Sequence, residues 1–171
     1  AVIMSGLHNH KNGQYGLQHD YHKFASFDDV ASLALPRVLG RTGYRTAQIG
    51  KYHVEPEYVY RFETYLPGAD RNPVQMAENC REFINAKDDR PFFLYFGTGD
   101  THRGPGVDES SALSLKPNLF GNKPNRGSYP NIQERFFDPR EVPIPPFLSD
   151  TAETRAELAQ YYQSLSRVDQ G

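Results

Sequence analysis

Cysteine occurs once in this sequence, at Cys80, and a lone thiol excludes an internal disulfide framework. Its neighbours, Asn79-Cys80-Arg81-Glu82, include no second cysteine at metal or redox spacing, so it reads as a half-buried helix cysteine. Long apolar runs are missing as well. Without a stretch of 18 apolar residues, or a charged start followed by an apolar middle, no segment reads as a membrane span or an export signal. Charge of one sign never accumulates: Lys+Arg number 19 against Asp+Glu 21, for a net charge of −2. No block of five or six like charges marks a tail that grips nucleic acid. A nucleotide phosphate loop is excluded too, because Gly43 and Gly50 enclose six residues instead of four and Tyr52 stands where Ser or Thr is required. Neither nucleic acid nor membrane is therefore an expected partner, and the oligomeric state is not legible. With 171 residues, the chain has the length of one compact domain and can bury about two-thirds of the surface its unfolded form exposes.

Both ends read as cut. The chain opens on Ala1-Val2-Ile3-Met4-Ser5-Gly6-Leu7, with no initiator Met and no cap, and closes in a helix that runs to its last residue; the expectation is an internal piece of a larger protein. That closing helix is read from Ala156, Leu158, Ala159, Tyr161, Tyr162, Leu165 and Val168, with Asp150 or Thr151 as its cap and Glu153 close behind. Between the ends a pattern of helix then strand occurs twice. Ser26 or Asp28 can cap a helix through Val30, Leu33, Leu35, Val38 and Leu39, interrupted by Pro36, with Gly40 and Gly43 near its end and a strand at 45–49 after it. Pro73 can open a second helix through Met76, Ala77, Cys80, Phe83 and Ile84, followed by a dense apolar and aromatic strand at 92–96. This alternation predicts an α/β layer with a parallel sheet. The pattern is lost over 104–149, where Pro and Gly are frequent and "PREVPIPPF" (139–147) excludes both a regular helix and an interior strand. That stretch reads as a long excursion over a surface.

Two polar clusters follow the two strands. In open α/β sheets the ligand crevice lies beyond the carboxyl ends of the strands. Lys51 and His53 are the first charged or titratable side chains past one such end; Gly97-Thr98-Gly99 leads past the other into Asp100-Thr101-His102-Arg103. Convergence of Lys51, His53, His102 and Arg103 would suit a tetrahedral oxyanion, because fixed positive charge and N–H donors stabilise negative charge where water is excluded. A histidine there can also hand a proton to a leaving oxygen or nitrogen. His8-Asn9-His10 and His19-Asp20-Tyr21-His22 match no zinc-ligand framework, and their Gly-, Asn- and Tyr-rich surroundings read as an ordered loop at a site entrance.

The stretches "SGLHNHKNGQYGL", "RTGYRTAQIGKYHVEPE", "RPFFLYFGTGDTHR" and "VPIPPFLSDTAETRAELAQYYQSLSRVDQG" resemble consecutive parts of the type I sulfatases, closest to the heparan N-sulfatases (sulfamidases) and their bacterial relatives. The most specific element is Gly-Lys-x-His, here Gly50-Lys51-Tyr52-His53. The resemblance implies an alkaline-phosphatase-like α/β fold, present in part, and hydrolysis of a sulfate ester or sulfamate on a sulfated carbohydrate. It also implies a divalent metal, usually calcium, a formylglycine nucleophile made from Cys or Ser, and export to a periplasmic, extracellular or lysosomal compartment. Carried across, Lys51 holds the sulfate and the nucleophile, His53 orients the nucleophile's hydroxyl, and His102, with Arg103 beside it, contacts the sulfate or assists the leaving group.

The chain departs from the family pattern at two places: Glu55 stands where Gly is frequent, and Thr101 replaces the usual Pro before the second His. The nucleophile motif Cys/Ser-x-Pro-Ser-Arg is not among these residues, and Cys80 is in no such setting. It is expected just upstream of Ala1, and the metal-binding carboxylates on either side of the segment. Two other readings stand beside a sulfatase segment: a non-catalytic anion- or glycan-binding α/β module, and a phosphatase or phosphodiesterase of the same superfamily. The Gly-Lys-x-His signature argues against the second of these.

Overall fold

A computed structural model describes residues 1–17, 23–102 and 130–171. These fall into two compact units, Ala1–Pro67 with Asn79–Gly97, and Gly68–Glu78 with Thr98–Gly171.

The first unit begins with two single-turn helices, α1 (Val2–Ser5) and α2 (Asn9–Asn12), each closed by a glycine in the left-handed region, Gly6 and Gly13. A 3₁₀ helix (Asp28–Ser32) and α3 (Leu35–Arg41) follow. One helix was expected across this stretch, and the chain instead breaks at Leu33 and Ala34. The cause is Pro36: it has no N–H to donate and its ring would collide with the carbonyl one turn earlier. A fresh helix with Pro36 in its first turn avoids both problems.

Strand β1 (Arg45–Gly50) is buried along almost its whole length. It pairs in parallel with β2 (Thr64–Leu66) on one side and β3 (Phe92–Gly97) on the other, in the order β2-β1-β3. The parallel pairing of 45–49 with 92–96 is as the sequence predicts, in register from Arg45 opposite Phe92 to Gly50 opposite Gly97. The short strand β2 was not anticipated. Two polar side chains of β1 are hydrogen-bonded: Thr46 Oγ1 accepts the Glu63 N–H at 3.0 Å, and Gln48 Nε2 donates to the Gly50 carbonyl at 2.8 Å. Arg45 is buried with its guanidinium 4.9 Å over the Phe83 ring and 5.7 Å from that of Phe92, and it donates to the Phe83 carbonyl. Against the sheet packs a core of Met4, Val30, Ala34, Val54, Val59, Tyr60 and Phe62, to which Tyr52, Phe93 and Tyr95 add their rings. Full burial of a Met, Val or Phe side chain such as these contributes roughly 1.5–3 kcal/mol.

Helix α4 (Pro73–Ile84) starts at the proline predicted to open it and is divided between the units at Glu78. Cys80, expected to be half-buried, is 1% exposed, and burial pushes its thiol up.

The second unit holds the turn Thr98–His102, the described part of the excursion (130–149) and α5 (Ala152–Gln170). Thr151 caps α5 by accepting the Thr154 N–H at 3.2 Å, one of the two caps expected. No helix or strand interrupts 130–149, in keeping with its prolines. The remainder of the excursion and the motif His19-Asp20-Tyr21-His22 lie outside the described residues. Among the described residues no helix is long and apolar enough to cross a membrane.

Candidate active site

The end of β1 is shaped by two glycines. Gly50 takes φ 80°, in the left-handed region where a Cβ is penalised, and turns the chain out of the sheet. Opposite it, the Gly97 carbonyl accepts the Lys51 N–H at 2.7 Å, one rung beyond the regular ladder. A Cβ on Gly97 would lie 2.2 Å from the Lys51 carbonyl oxygen, so only glycine lets the two backbones meet this closely.

Beyond this rung the chain alternates. Tyr52 turns inward: its ring packs edge-on against Phe62 at 5.9 Å and Tyr95 at 6.3 Å, and its hydroxyl donates to the Tyr60 carbonyl at 2.8 Å. Burial, foremost, pushes that hydroxyl well above the ordinary tyrosine range. The flanking Lys51 and His53 are half-buried and exposed. No carboxylate among the described residues pairs with the Lys51 ammonium. Anchoring the middle residue of Lys-Tyr-His thus fixes the backbone that carries the two polar side chains on either side of it.

The backbone of His53 has a further support. Buried Gln14 donates through Nε2 to the His53 carbonyl and accepts the Glu55 N–H through Oε1, both at 3.3 Å. Gln14 is itself held: its N–H donates to Asn12 Oδ1 at 2.9 Å, and fully buried Asn12 donates to the Leu7 carbonyl. The loop read from sequence as a site entrance therefore acts in part as a brace. His8 and His10 are exposed and stack with ring centroids 5.8 Å apart.

His102 belongs to the second unit, on the turn that follows β3. Its N–H donates to the Gly99 carbonyl at 3.0 Å, and its ring is at the surface. Beneath it Asp100 is buried, with Arg71 Nη1 2.6 Å from Oδ1 and Arg167 Nη1 3.4 Å from Oδ2. Burial pushes the Asp100 carboxyl up, and the two guanidiniums pull it back. Sequence reasoning placed Lys51, His53 and His102 beyond strand ends, where the structure has them. It passed over Gln14, Arg71 and Asp100, whose partners lie 29 or more positions away. Arg103 lies outside the described residues.

The described residues do not fit a metal cage: no group of three or more His, Cys, Asp or Glu side chains among them is placed to hold an ion. What the first unit supplies is a cation and an imidazole beyond the carboxyl end of a parallel strand, groups that can hold an oxyanion and move a proton.

Comparison with known proteins is consistent with that chemistry. The family model described as Sulfatase matches residues 1–171. N-sulphoglucosamine sulphohydrolase of Homo sapiens is 39% identical over 180 residues, an alignment that takes in 100% of this chain and 35% of the human protein. The chain thus spans about a third of that relative's length.

Proposed function

Because the chain belongs to the sulfatase family, we propose that the protein containing it hydrolyses a sulfate ester or sulfamate on a sulfated sugar, with these residues forming the sulfate-binding part of its active site. The observation that carries this reading is the setting of Lys51: an ammonium without a carboxylate partner among the described residues, on backbone pinned to Gly97 at the end of a buried strand. Lys51 holds the sulfate and lowers the cost of charge building on its oxygens. His53 orients the hydroxyl that attacks sulfur. His102, with Arg103, contacts the sulfate or gives a proton to the departing oxygen or nitrogen.

The nucleophile, a formylglycine in this reading, comes from residues outside these 171. Calcium, in the intact protein, would supply positive charge beside the sulfate. Its ligands would also lie outside the chain, so no step is assigned to it. Similarity to the human N-sulphoglucosamine sulphohydrolase favours an N-sulfated glucosamine as substrate. Export is the compartment that fits the family. The Sulfatase match supports hydrolysis over a non-catalytic glycan module or a phosphatase.

The test is release of inorganic sulfate by the full-length protein from N-sulfated glucosamine and from an O-sulfated glucosamine, and of inorganic phosphate from an aryl phosphate, each with added calcium. Turnover of the N-sulfated sugar above the O-sulfated one is expected. Cleavage of the phosphate alone, or of nothing, overturns the reading.

A further inference from the structure

The side chains beneath His102 form a connected set with no role in the chemistry above. Arg71 uses two nitrogens of one guanidinium: Nη1 donates to Asp100 Oδ1 at 2.6 Å, and Nη2 to the His102 carbonyl at 3.0 Å. One planar fork therefore spans a buried carboxylate and the backbone of the residue two positions on. The carboxylate is in turn fixed from its other side. Arg167, 2% exposed, reaches Asp100 Oδ2 at 3.4 Å and keeps its Nε on Glu134 Oε1 at 2.9 Å. Within the turn, Thr98 Oγ1 donates to the Asp100 carbonyl at 2.6 Å, and the Gly99 N–H donates to the Asp70 carbonyl at 2.6 Å.

We propose that Arg71 and Asp100 are positioning residues for His102, a network that sets the backbone from which its imidazole projects; this rests on the function proposed above. Two observations favour positioning over stability alone. Burying ion pairs adds little net stability compared with an apolar packing of the same volume, so a buried carboxylate between two arginines is poorly explained as glue. Moreover, the fork ends on the His102 carbonyl itself, which a simple charge pair would not require. Arg71 is accordingly a site where lysine is not a conservative change: an ammonium keeps the charge but cannot reach both acceptors in the same plane.

The experiment compares the full-length protein with its Arg71→Lys, Asp100→Asn, His102→Ala and Arg71→Lys/His102→Ala variants. It reads kcat and KM on an aryl sulfate, and the imidazole resonance of His102 in ¹³C-histidine-labelled protein. Arg71→Lys is expected to lower kcat roughly tenfold with KM within about twofold, and Asp100→Asn to lower it on the order of a hundredfold, as displaced catalytic groups do. In the His102→Ala background, Arg71→Lys should cost nothing further, because a residue acting through His102 has no route left. The His102 resonance should move and broaden in Arg71→Lys. An additive loss in the double variant, or an unmoved His102 resonance, overturns the proposal. Should Asp100→Asn fail to fold, Arg71→Lys carries the test. If the protein releases no sulfate, or His102→Ala leaves turnover intact, the proposed function or His102's role in it fails, and the resonance alone then decides whether the network positions the ring.

Discussion

Replacing Gly97 with alanine tests the joint on which Lys51 depends. The added Cβ would sit 2.2 Å from the Lys51 carbonyl oxygen and 3.2 Å from its carbon, whereas ordinary contact begins at 3.4 Å. The backbone of Lys51 must therefore retreat by about 1 Å, since neither partner is the free end of a side chain. Overfilling of this kind costs about 1–3 kcal/mol. The retreat also stretches the 2.7 Å bond from the Lys51 N–H to the Gly97 carbonyl, worth about 1 kcal/mol. The expected loss is about 2–4 kcal/mol. Gly6→Ala separates crowding from conformation: its φ of 69° is unfavourable to alanine, as that of Gly97 is not, and nothing lies within 4 Å of the added Cβ, so about 1–2 kcal/mol is expected from conformation alone. Urea unfolding at constant m-value gives the stabilities, and amide exchange at Lys51 locates the damage. In the full-length protein Gly97→Ala should also lower sulfate release on the order of a hundredfold. The reasoning is refuted if Gly97→Ala costs no more than Gly6→Ala, or if the Lys51 amide exchanges as slowly as in the wild type.

Gln14→Ala should leave the His53 carbonyl and the Glu55 N–H without the amide that bridges them, a loss of about 0.5–1.5 kcal/mol for each hydrogen bond. Faster exchange of the Glu55 amide is the readout, and unchanged exchange would count against the brace. The Asp88 and Asp138 carboxyls are held down at about 2, chiefly by side-chain hydrogen bonds from Arg90 and Arg140. Because folding lowers both from the ordinary value of about 3.9, the stabilisation is fully present above that value and is lost as pH falls through about 2. Carboxyl ¹³C titration should give midpoints near 2, and midpoints near 4 would contradict the pairing. Buried Cys80, its thiol pushed up by burial, should react with a thiol reagent only as the protein unfolds. Prompt labelling of the native chain would contradict that.

The parts of the fold that sequence revealed are those coded locally. Strand β3 is an unbroken run of apolar and aromatic residues, α4 begins at Pro73, and Thr151 caps α5. Where two signals competed the reading failed: the apolar spacing from Val30 to Leu39 favoured one helix, and Pro36 divided it. Strand β2 is only three residues long, preceded by Arg61-Phe62-Glu63 and followed by Pro67-Gly68, so it offers too little alternation to detect. Cys80 looked half-buried because its neighbours in sequence are polar, but a helix buries one face and leaves those neighbours on the other. The candidate site divides in the same way. Lys51, His53 and His102 are legible because each comes shortly after a readable strand. Gln14, Arg71 and Asp100 matter through partners distant in sequence, and no local pattern distinguishes a glutamine bracing a histidine from one on a surface.

The central claim is that Lys51, at the end of β1, holds the sulfate. Inhibition of the full-length protein by inorganic sulfate, measured for wild type and Lys51→Ala, tests it without relying on the chemical step. A charge-assisted contact is worth roughly 1.5–3 kcal/mol, which corresponds to a rise of about ten- to hundredfold in the inhibition constant. Such a rise is the predicted result. An inhibition constant unchanged in Lys51→Ala, with the variant folded as the wild type is, would contradict the account.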